Sequence, residues 1–117
     1  KVYTLGEVNY PRQIMYLNRL TLLQAITESR GIKEYASSNV VIIRGSLSNP
    51  EKLIFNMNDI LHGKTADVLL KPGDIVFVPE DSSADLQRLV KVAIRAFVQT
   101  VASSAAANAI DDNYQNN

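Results

Sequence analysis

The chain has 117 residues, 12 basic and 12 acidic side chains, one histidine and no cysteine. This length fits one compact domain, or a smaller domain with an appendage. The balanced charge argues against a nucleic-acid binder, which usually carries a basic patch, and the absence of cysteine excludes disulfides, thiolate metal sites and thiol nucleophiles. The single histidine, His62, also excludes a multi-histidine metal cluster.

The N-terminal residues predict a strand and not a targeting segment. Residues 2–8 are rich in β-forming side chains that alternate along the chain, with no apolar h-region behind them. Pro11 favours a turn, and residues 13–17 resume an extended pattern that would pair back on the first strand. Because the sequence starts inside a folded unit, we expect a fragment, or a protein whose signal and upstream domains have been removed.

A short helix is predicted next, beginning at Thr21. This threonine can cap the free backbone N–H groups, and Gln24 stands three residues later in the capping-box position. Gly31 suits the left-handed residue that ends a helix. The apolar stripe of the helix comprises Leu22, Leu23, Ala25 and Ile26. A helix of about two to three turns is marginal in isolation, so tertiary packing must hold it.

The middle of the chain predicts two strands and a second helix. Residues 40–43 form a continuous β-branched run, which is typical of a strand buried on both faces at the centre of a sheet. Residues 52–56 would return as its partner strand. Asn58 is expected to cap a short helix over residues 59–62, which Gly63 would end.

The segment Lys71-Pro72-Gly73-Asp74 predicts a type II turn before a last strand over residues 75–78. The element order is therefore β-β-α-β-β-(short α)-β. This order indicates an α+β fold, a β-grasp unit in residues 1–80 with a small mixed sheet and one packed helix. Residues 81–84 would be a linker that supplies N-cap side chains to a following helix, and residues 111–117 would be a polar tail.

A long amphipathic helix is predicted over residues 85–110. Residues 86–110 contain no glycine, proline or acidic side chain. The polar side chains stand three or four residues apart and therefore share one face: Arg88, Lys91, Arg95 and Gln99. A wide apolar arc covers most of the remaining circumference and includes Leu89, Val90, Ile94, Phe97, Val98 and Val101.

The residues alone leave three interpretations of this helix open. It could pack on the β-grasp unit or on upstream domains. It could bind a partner helix, although its apolar positions do not keep the strict seven-residue repeat of a coiled coil. It could be a membrane or pore helix, since residues 89–110 are about as long as the roughly 20 residues that a bilayer requires. The cations are costly in lipid, but near one helix end they can snorkel, and in a ring of copies their face could turn to water.

A longer pattern connects the predicted elements to a known family. It runs in order through residues 2–11, 20–26, 31–36, 40–44, 59–63 and 67–79. With these segments the sequence resembles the outer-membrane polysaccharide export proteins of Gram-negative bacteria, and residues 1–80 look like their SLBB (soluble-ligand-binding β-grasp) domain. Two loop positions depart from the family pattern. Arg12 follows Pro11 where a glycine is common, and Arg30-Gly31 replaces a Gly-Gly pair.

The resemblance implies a function in transport. In this family an amphipathic helix follows such a domain near the C-terminus, and copies of the helix form an α-helical barrel across the outer membrane. The chain would be the C-terminal part of a channel that exports capsule or exopolysaccharide, with the β-grasp domain in a periplasmic homo-oligomeric ring, typically an octamer. The implied partners are the passing polysaccharide and an inner-membrane polysaccharide copolymerase, often a tyrosine autokinase. No cofactor and no nucleic acid is implied, and the lipid-bearing cysteine of the family would lie upstream.

The alternative is a soluble β-grasp module that binds a carbohydrate or another ligand. Its candidate ligand-binding residues lie in two turns, which could equally serve only to fix the hairpin geometry: Pro11, Lys71, Pro72, Gly73 and Asp74. Aromatic side chains near strand ends could line a sugar groove, or could be half-buried with a solvated hydroxyl: Tyr3, Tyr10, Tyr16 and Tyr35. Since no nucleophile or acid–base constellation stands out, we expect the chain not to be an enzyme.

Overall fold

The computed structural model describes residues 1–80 and 85–115, and in the last helix it describes side chains as far as residue 101. The elements within these ranges are β1 (Val2–Gly6), β2 (Arg12–Ile14), α1 (Leu22–Glu28), β3 (Asn39–Arg44), β4 (Glu51–Asn56), α2 (Met57–Leu61), β5 (Ile75–Val78) and α3 (Leu86–Gln115). Their order confirms the predicted succession, and the fold is α+β. The predicted linker over residues 81–84 lies outside the described residues.

The strands form one mixed sheet with the order β2-β1-β5-β3-β4. β1 and β5 run parallel, with Tyr3 opposite Ile75, and the other neighbouring pairs are antiparallel. A parallel pair needs a long crossover connection, and the crossover between β1 and β5 contains α1. β2 and β4 are the edge strands, so the first hairpin and the second hairpin lie at opposite sides of the sheet.

The central strands contribute side chains to two apolar cores, one on each face of the sheet. In β3, Val40 and Ile42 belong to the core that α1 covers, whereas Val41 and Ile43 belong to the core that α3 covers. This division follows from the two-residue period of a strand. The four side chains are buried, which confirms the prediction of a central strand buried on both faces.

The N-terminus of α1 has the predicted capping box. The backbone N–H of Gln24 donates to the Thr21 hydroxyl at 3.2 Å, and the backbone N–H of Thr21 donates to the Gln24 side-chain oxygen at 2.9 Å. After the helix, Arg30 (φ +62°) and Gly31 (φ +84°) both adopt the left-handed region. Among the described residues, Arg30 is the one non-glycine residue with a positive φ.

The first two strands are shorter than predicted. β1 ends at Gly6, which has φ +83° and passes so close to the Val78 carbonyl oxygen that a Cβ would clash with it. β2 ends at Ile14, and beyond it the chain leaves the sheet, so that the Tyr16 hydroxyl donates to the Leu70 carbonyl oxygen at 2.9 Å.

The N-cap of α2 also differs from the prediction. Asn56 and not Asn58 caps this helix, because the Asn56 side-chain oxygen accepts a hydrogen bond from the Asp59 backbone N–H at 3.2 Å. Asn58 lies two residues later and is itself helical. The helix is accordingly Met57–Leu61, with His62 as its C-cap residue.

The first turns of α3 cover the second face of the sheet. Val90 and Ala93 are buried there against strand side chains of the second core: Leu5, Val41, Ile43, Ile75 and Phe77. Phe97 meets Tyr3 edge to face, with ring centroids 4.8 Å apart. Of the three interpretations of this helix, the described contacts therefore correspond to packing on the β-grasp unit.

The bounds and the hydropathy of α3 correct the sequence-based expectations. The helix begins at Leu86, and Asp85 before it caps the first turn, since its carboxylate accepts a hydrogen bond from the Arg88 backbone N–H at 2.9 Å. The helix continues to Gln115 and so includes much of the predicted polar tail, because no glycine or proline interrupts it. Among the described residues, no helix is long and apolar enough to cross a membrane, so a membrane-spanning helix over residues 85–110 is not supported.

Candidate functional site

The two candidate ligand-binding turns lie at opposite ends of the sheet. Pro11 is exposed in the turn that follows the C-terminal end of β1. Gly73 precedes β5 and donates its backbone N–H to the carbonyl oxygen of Lys1, next to the start of β1. Because β1 and β5 are parallel, the length of the sheet separates the two turns. Pro11 and the residues 71–74 therefore do not form one site.

The turn at residues 71–74 is built around a buried carboxylate. Arg44 donates to both oxygens of Asp74, from Nε at 2.9 Å and from Nη2 at 2.8 Å, and the Lys71 backbone N–H donates to Asp74 Oδ2 at 2.8 Å. The hydrogen bonds and charge of Asp74 raise the pKa of the Arg44 guanidinium above its ordinary value, against the opposing effect of burial. The Asp74 side chain has no exposed surface, so its carboxylate holds the turn and does not face a solvent-borne ligand.

The predicted α3 residues divide between two sides of the helix. The polar side chains Arg88, Lys91, Arg95 and Gln99 are exposed, on the side opposite the sheet. Leu89, Val90, Ile94 and Phe97 pack on the second core. Val98 and Val101 are apolar and yet 47% and 40% exposed. The first turns of α3 thus present a basic line to solvent, and exposed apolar side chains lie both in these turns, at Leu86 and Val92, and in the later ones, at Val98 and Val101.

A third cluster joins the β1–β2 turn to the end of α1. The guanidinium carbon of Arg12 lies 5.2 Å from the ring centroid of Tyr10, and that of Arg30 lies 4.7 Å from the same centroid. Both distances are within the range of cation–π attraction. Tyr10 is 45% exposed, and both arginines are exposed as well. Two positive groups are therefore held at the surface around one aromatic ring.

Main-chain hydrogen bonds hold this cluster in place. The backbone N–H of Tyr10 donates to the Ser29 carbonyl oxygen at 2.9 Å, and that of Asn9 donates to the Gly31 carbonyl oxygen at 3.0 Å. The Asn9 side-chain amide donates to the Arg30 carbonyl oxygen at 2.8 Å. The turn thus satisfies carbonyl groups that the helix end leaves free. The backbone under both arginines is fixed by these bonds.

The comparison with known proteins gives one family. The family model of the SLBB domain matches residues 1–78. The chain belongs to the SLBB domain family. No curated protein matches the chain. In this SLBB domain the matched segment contains the sheet from β1 to β5 together with α1, and α3 follows it.

The tyrosines of the SLBB domain do not line a common groove. Tyr3 lies under α3 against Phe97, Tyr16 hydrogen-bonds the main chain, and Tyr35 is 87% exposed on a separate loop. Only Tyr10 of this set is accompanied by charged groups that could bind a ligand. Among the described residues, no group of three His, Cys, Asp or Glu side chains is arranged to hold a metal ion.

An open groove of about 650 Å³ runs between the end of β2 and α1. Its apolar rim includes Met15 and Leu17, which are 67% and 78% exposed. The polar side chains of the groove come from α1, from the loop before it and from the loop between α2 and β5: Arg19, Gln24, Glu28 and Asp67. Asp67 is already engaged, because its carboxylate accepts from the Leu23 backbone N–H at 3.1 Å. The groove combines apolar and hydrogen-bonding surface, as small-molecule sites in proteins generally do.

Sequence reasoning missed both arginine clusters. Arg44 carried one available signal, since a charge at the end of a buried strand needs a partner, but its partner Asp74 lies far along the chain. Arg12 and Arg30 were visible as departures from the family pattern. Their common contact with Tyr10 depends on the adjacency of the first turn and the end of α1, which no local pattern encodes.

Proposed function

We propose that this chain is the C-terminal module of an outer-membrane channel that exports capsule or exopolysaccharide. The observation that carries the proposal is the SLBB domain over residues 1–78, a domain type that suggests a polysaccharide-binding or export-related role. An amphipathic helix follows this domain, at the place where the resemblance to polysaccharide export proteins expects one. The mechanism would be passive conduction of the polymer, so we assign the chain no enzymatic activity.

On this proposal, copies of the SLBB domain form a periplasmic ring, an octamer by resemblance. Contacts between subunits need exposed apolar surface, and the described residues supply it at both sides of the sheet. Met15 and Leu17 lie beyond β2, and Ile54 is 44% exposed on the edge strand β4. A heterologous contact between two different edges generates a closed ring when the rotation closes. The inner-membrane partner would be a polysaccharide copolymerase, often a tyrosine autokinase.

The packing of α3 limits what this helix can do in such a ring. Its first turns are part of the domain, so their basic line can face a lumen, where an anionic polymer would meet Arg88, Lys91 and Arg95. A contribution to an α-helical barrel falls to the part of α3 after Phe97. The apolar side chains of Val98 and Val101 in this part are 47% and 40% exposed.

The oligomeric state of the intact protein in detergent tests the proposal. We expect a large closed ring, measured by light scattering and by electron microscopy of the purified particle. A monomer whose mass does not change with detergent would contradict the channel. A second test is the amount of polysaccharide on the surface of cells that lack the gene, which should fall and should recover when the gene is restored.

The second candidate function is a soluble carbohydrate-binding module. The groove of about 650 Å³ beside α1 favours it, because that groove needs no second subunit. This candidate predicts that the monomeric chain binds a neutral oligosaccharide. It also predicts that Leu23→Arg, at the wall of the groove, weakens that binding while the oligomeric state is unchanged.

A further inference from the structure

Tyr10, Arg12 and Arg30 form a cationic cluster that the fold does not need for charge balance. Among the described residues, neither guanidinium forms an ion pair with a carboxylate. The Arg12 guanidinium makes one long hydrogen bond, at 3.4 Å, to the Glu28 carbonyl oxygen. The nearby Lys33, by contrast, pairs with Glu7 at 3.8 Å. Most donors of the two guanidinium groups therefore remain available to a ligand.

The backbone of Arg30 is unusual for an arginine. Its φ of +62° lies in the left-handed region, which glycine adopts freely and other L-residues adopt at a cost in free energy. An observed outlier of this kind supports a hypothesis of function. At this left-handed residue the Arg30 guanidinium lies over the ring of Tyr10, which the guanidinium of Arg12 also contacts.

The geometry favours a carboxylate as the ligand. Guanidinium groups present planar forks of N–H donors that match the two oxygens of a carboxylate. The ring of Tyr10 supports and orients both forks, and the hydrogen bonds of Asn9 and Tyr10 to the end of α1 fix the backbone beneath them. A site that is already ordered loses little entropy when it binds.

We propose that Tyr10, Arg12 and Arg30 form a binding site for the carboxylate groups of an acidic polysaccharide. The class of ligand rests on the proposed function, since export of a polysaccharide would bring such a polymer past the domain. The site lies at the β1–β2 turn and is separate from the basic line of α3. It gives the SLBB domain a preference for acidic over neutral polymer.

Titration calorimetry of the full chain at low salt tests this site. The probes are an oligogalacturonate and a neutral galactan oligomer of equal length, with a poly-glutamate peptide as a third ligand. The variants are Arg12→Gln and Arg30→Gly, and the control is Lys64→Gln, which removes one exposed charge elsewhere. We expect each cluster variant to weaken oligogalacturonate binding about tenfold and the double variant to abolish it. The control should change the affinity by less than about twofold, and added salt should weaken binding.

Arg30→Gly also separates binding from folding. Glycine adopts a positive φ without strain, so the melting temperature of this variant should not fall even though binding is lost. The proposal is overturned if the wild-type chain does not bind oligogalacturonate, or if Lys64→Gln weakens binding as much as the cluster variants. It is also overturned if poly-glutamate binds more tightly, which would point to an acidic protein. None of these binding results bears on the oligomeric state measured in detergent. The proposal of the carboxylate site and the proposal of the channel can therefore be rejected independently.

Discussion

At the residue scale, Arg44 and Asp74 make the strongest prediction about stability. The Asp74 side chain is fully buried and its Arg44 partner is only 16% exposed, so neither group can turn to water without a rearrangement. Asp74→Asn leaves the guanidinium with a neutral partner. We expect this variant to lose about 3 kcal/mol of unfolding free energy, as is typical when one partner of a buried ion pair is removed. Urea denaturation at neutral pH measures it, with Glu34→Gln as an exposed control that should change stability by less than about 0.5 kcal/mol.

The pH dependence of this contribution follows from the pKa of Arg44. The folded-state pKa is raised above the unfolded value, so the stability is fully present below the unfolded pKa and is lost as the pH rises through the folded pKa. Both values lie far into alkali. The free-energy difference between the wild-type chain and Arg44→Met should therefore be the same at pH values of about 7 and about 9. A difference that shrinks between these two pH values would contradict this assignment.

Two glycines with nearly the same φ allow the cost of a left-handed backbone to be measured apart from the cost of a steric clash. Gly6 has φ +83° and Gly45 has φ +84°, but a Cβ on Gly6 would clash with the Val78 carbonyl oxygen, whereas Gly45 has no heavy atom within 4 Å of that position. Gly45→Ala should cost about 1 kcal/mol for the left-handed backbone alone. Gly6→Ala should cost about 3 kcal/mol or more, because β1 and β5 must also move apart. Equal losses in urea denaturation would mean that the close approach of the two strands is absent.

At the element scale, the position of α3 on the sheet can be tested with neighbouring residues. Ala93 has no exposed surface, whereas Val92 is 44% exposed. Ala93→Glu buries a carboxylate against the second core and should cost about 3 kcal/mol or more. Val92→Glu places the same side chain in water and should change stability by less than about 1 kcal/mol. If urea denaturation gives equal effects for both variants, α3 does not pack on the sheet through this face.

At the scale of the whole molecule, local signals and long-range contacts were not equally predictable. The element order followed from local chemistry: the capping box at Thr21, the β-branched run at residues 40–43 and the turn at Pro72-Gly73. The partners of Arg44 and of Tyr10 depend on strand order and helix placement, so no local pattern identifies them. Hydropathy likewise revealed the apolar arc of α3 but not what covers it. The same apolar side chains suit packing on a sheet face and contact with lipid chains.

The division of α3 into a part that packs on the sheet and a later part predicts a difference between two truncated chains. A chain that ends at Val101 retains every described contact of α3 with the second core, and it should unfold cooperatively. A chain that ends at Glu80 uncovers five strand side chains of that core: Leu5, Val41, Ile43, Ile75 and Phe77.

Burying each large apolar side chain contributes about 1.5–3 kcal/mol to the free energy of unfolding. The free energy that the chain ending at Glu80 loses therefore approaches the roughly 5–15 kcal/mol that stabilises a whole domain. The shorter chain should therefore aggregate or lose its cooperative transition, as measured by circular dichroism and size-exclusion chromatography. A soluble monomer ending at Glu80 with a sharp unfolding transition would contradict the structural role of α3. In that case the domain would fold without α3, and the whole helix would be available for contacts with a membrane or a partner. If the chain ending at Val101 folds but no longer forms the ring in detergent, the later turns of α3 act in assembly, as the channel proposal requires.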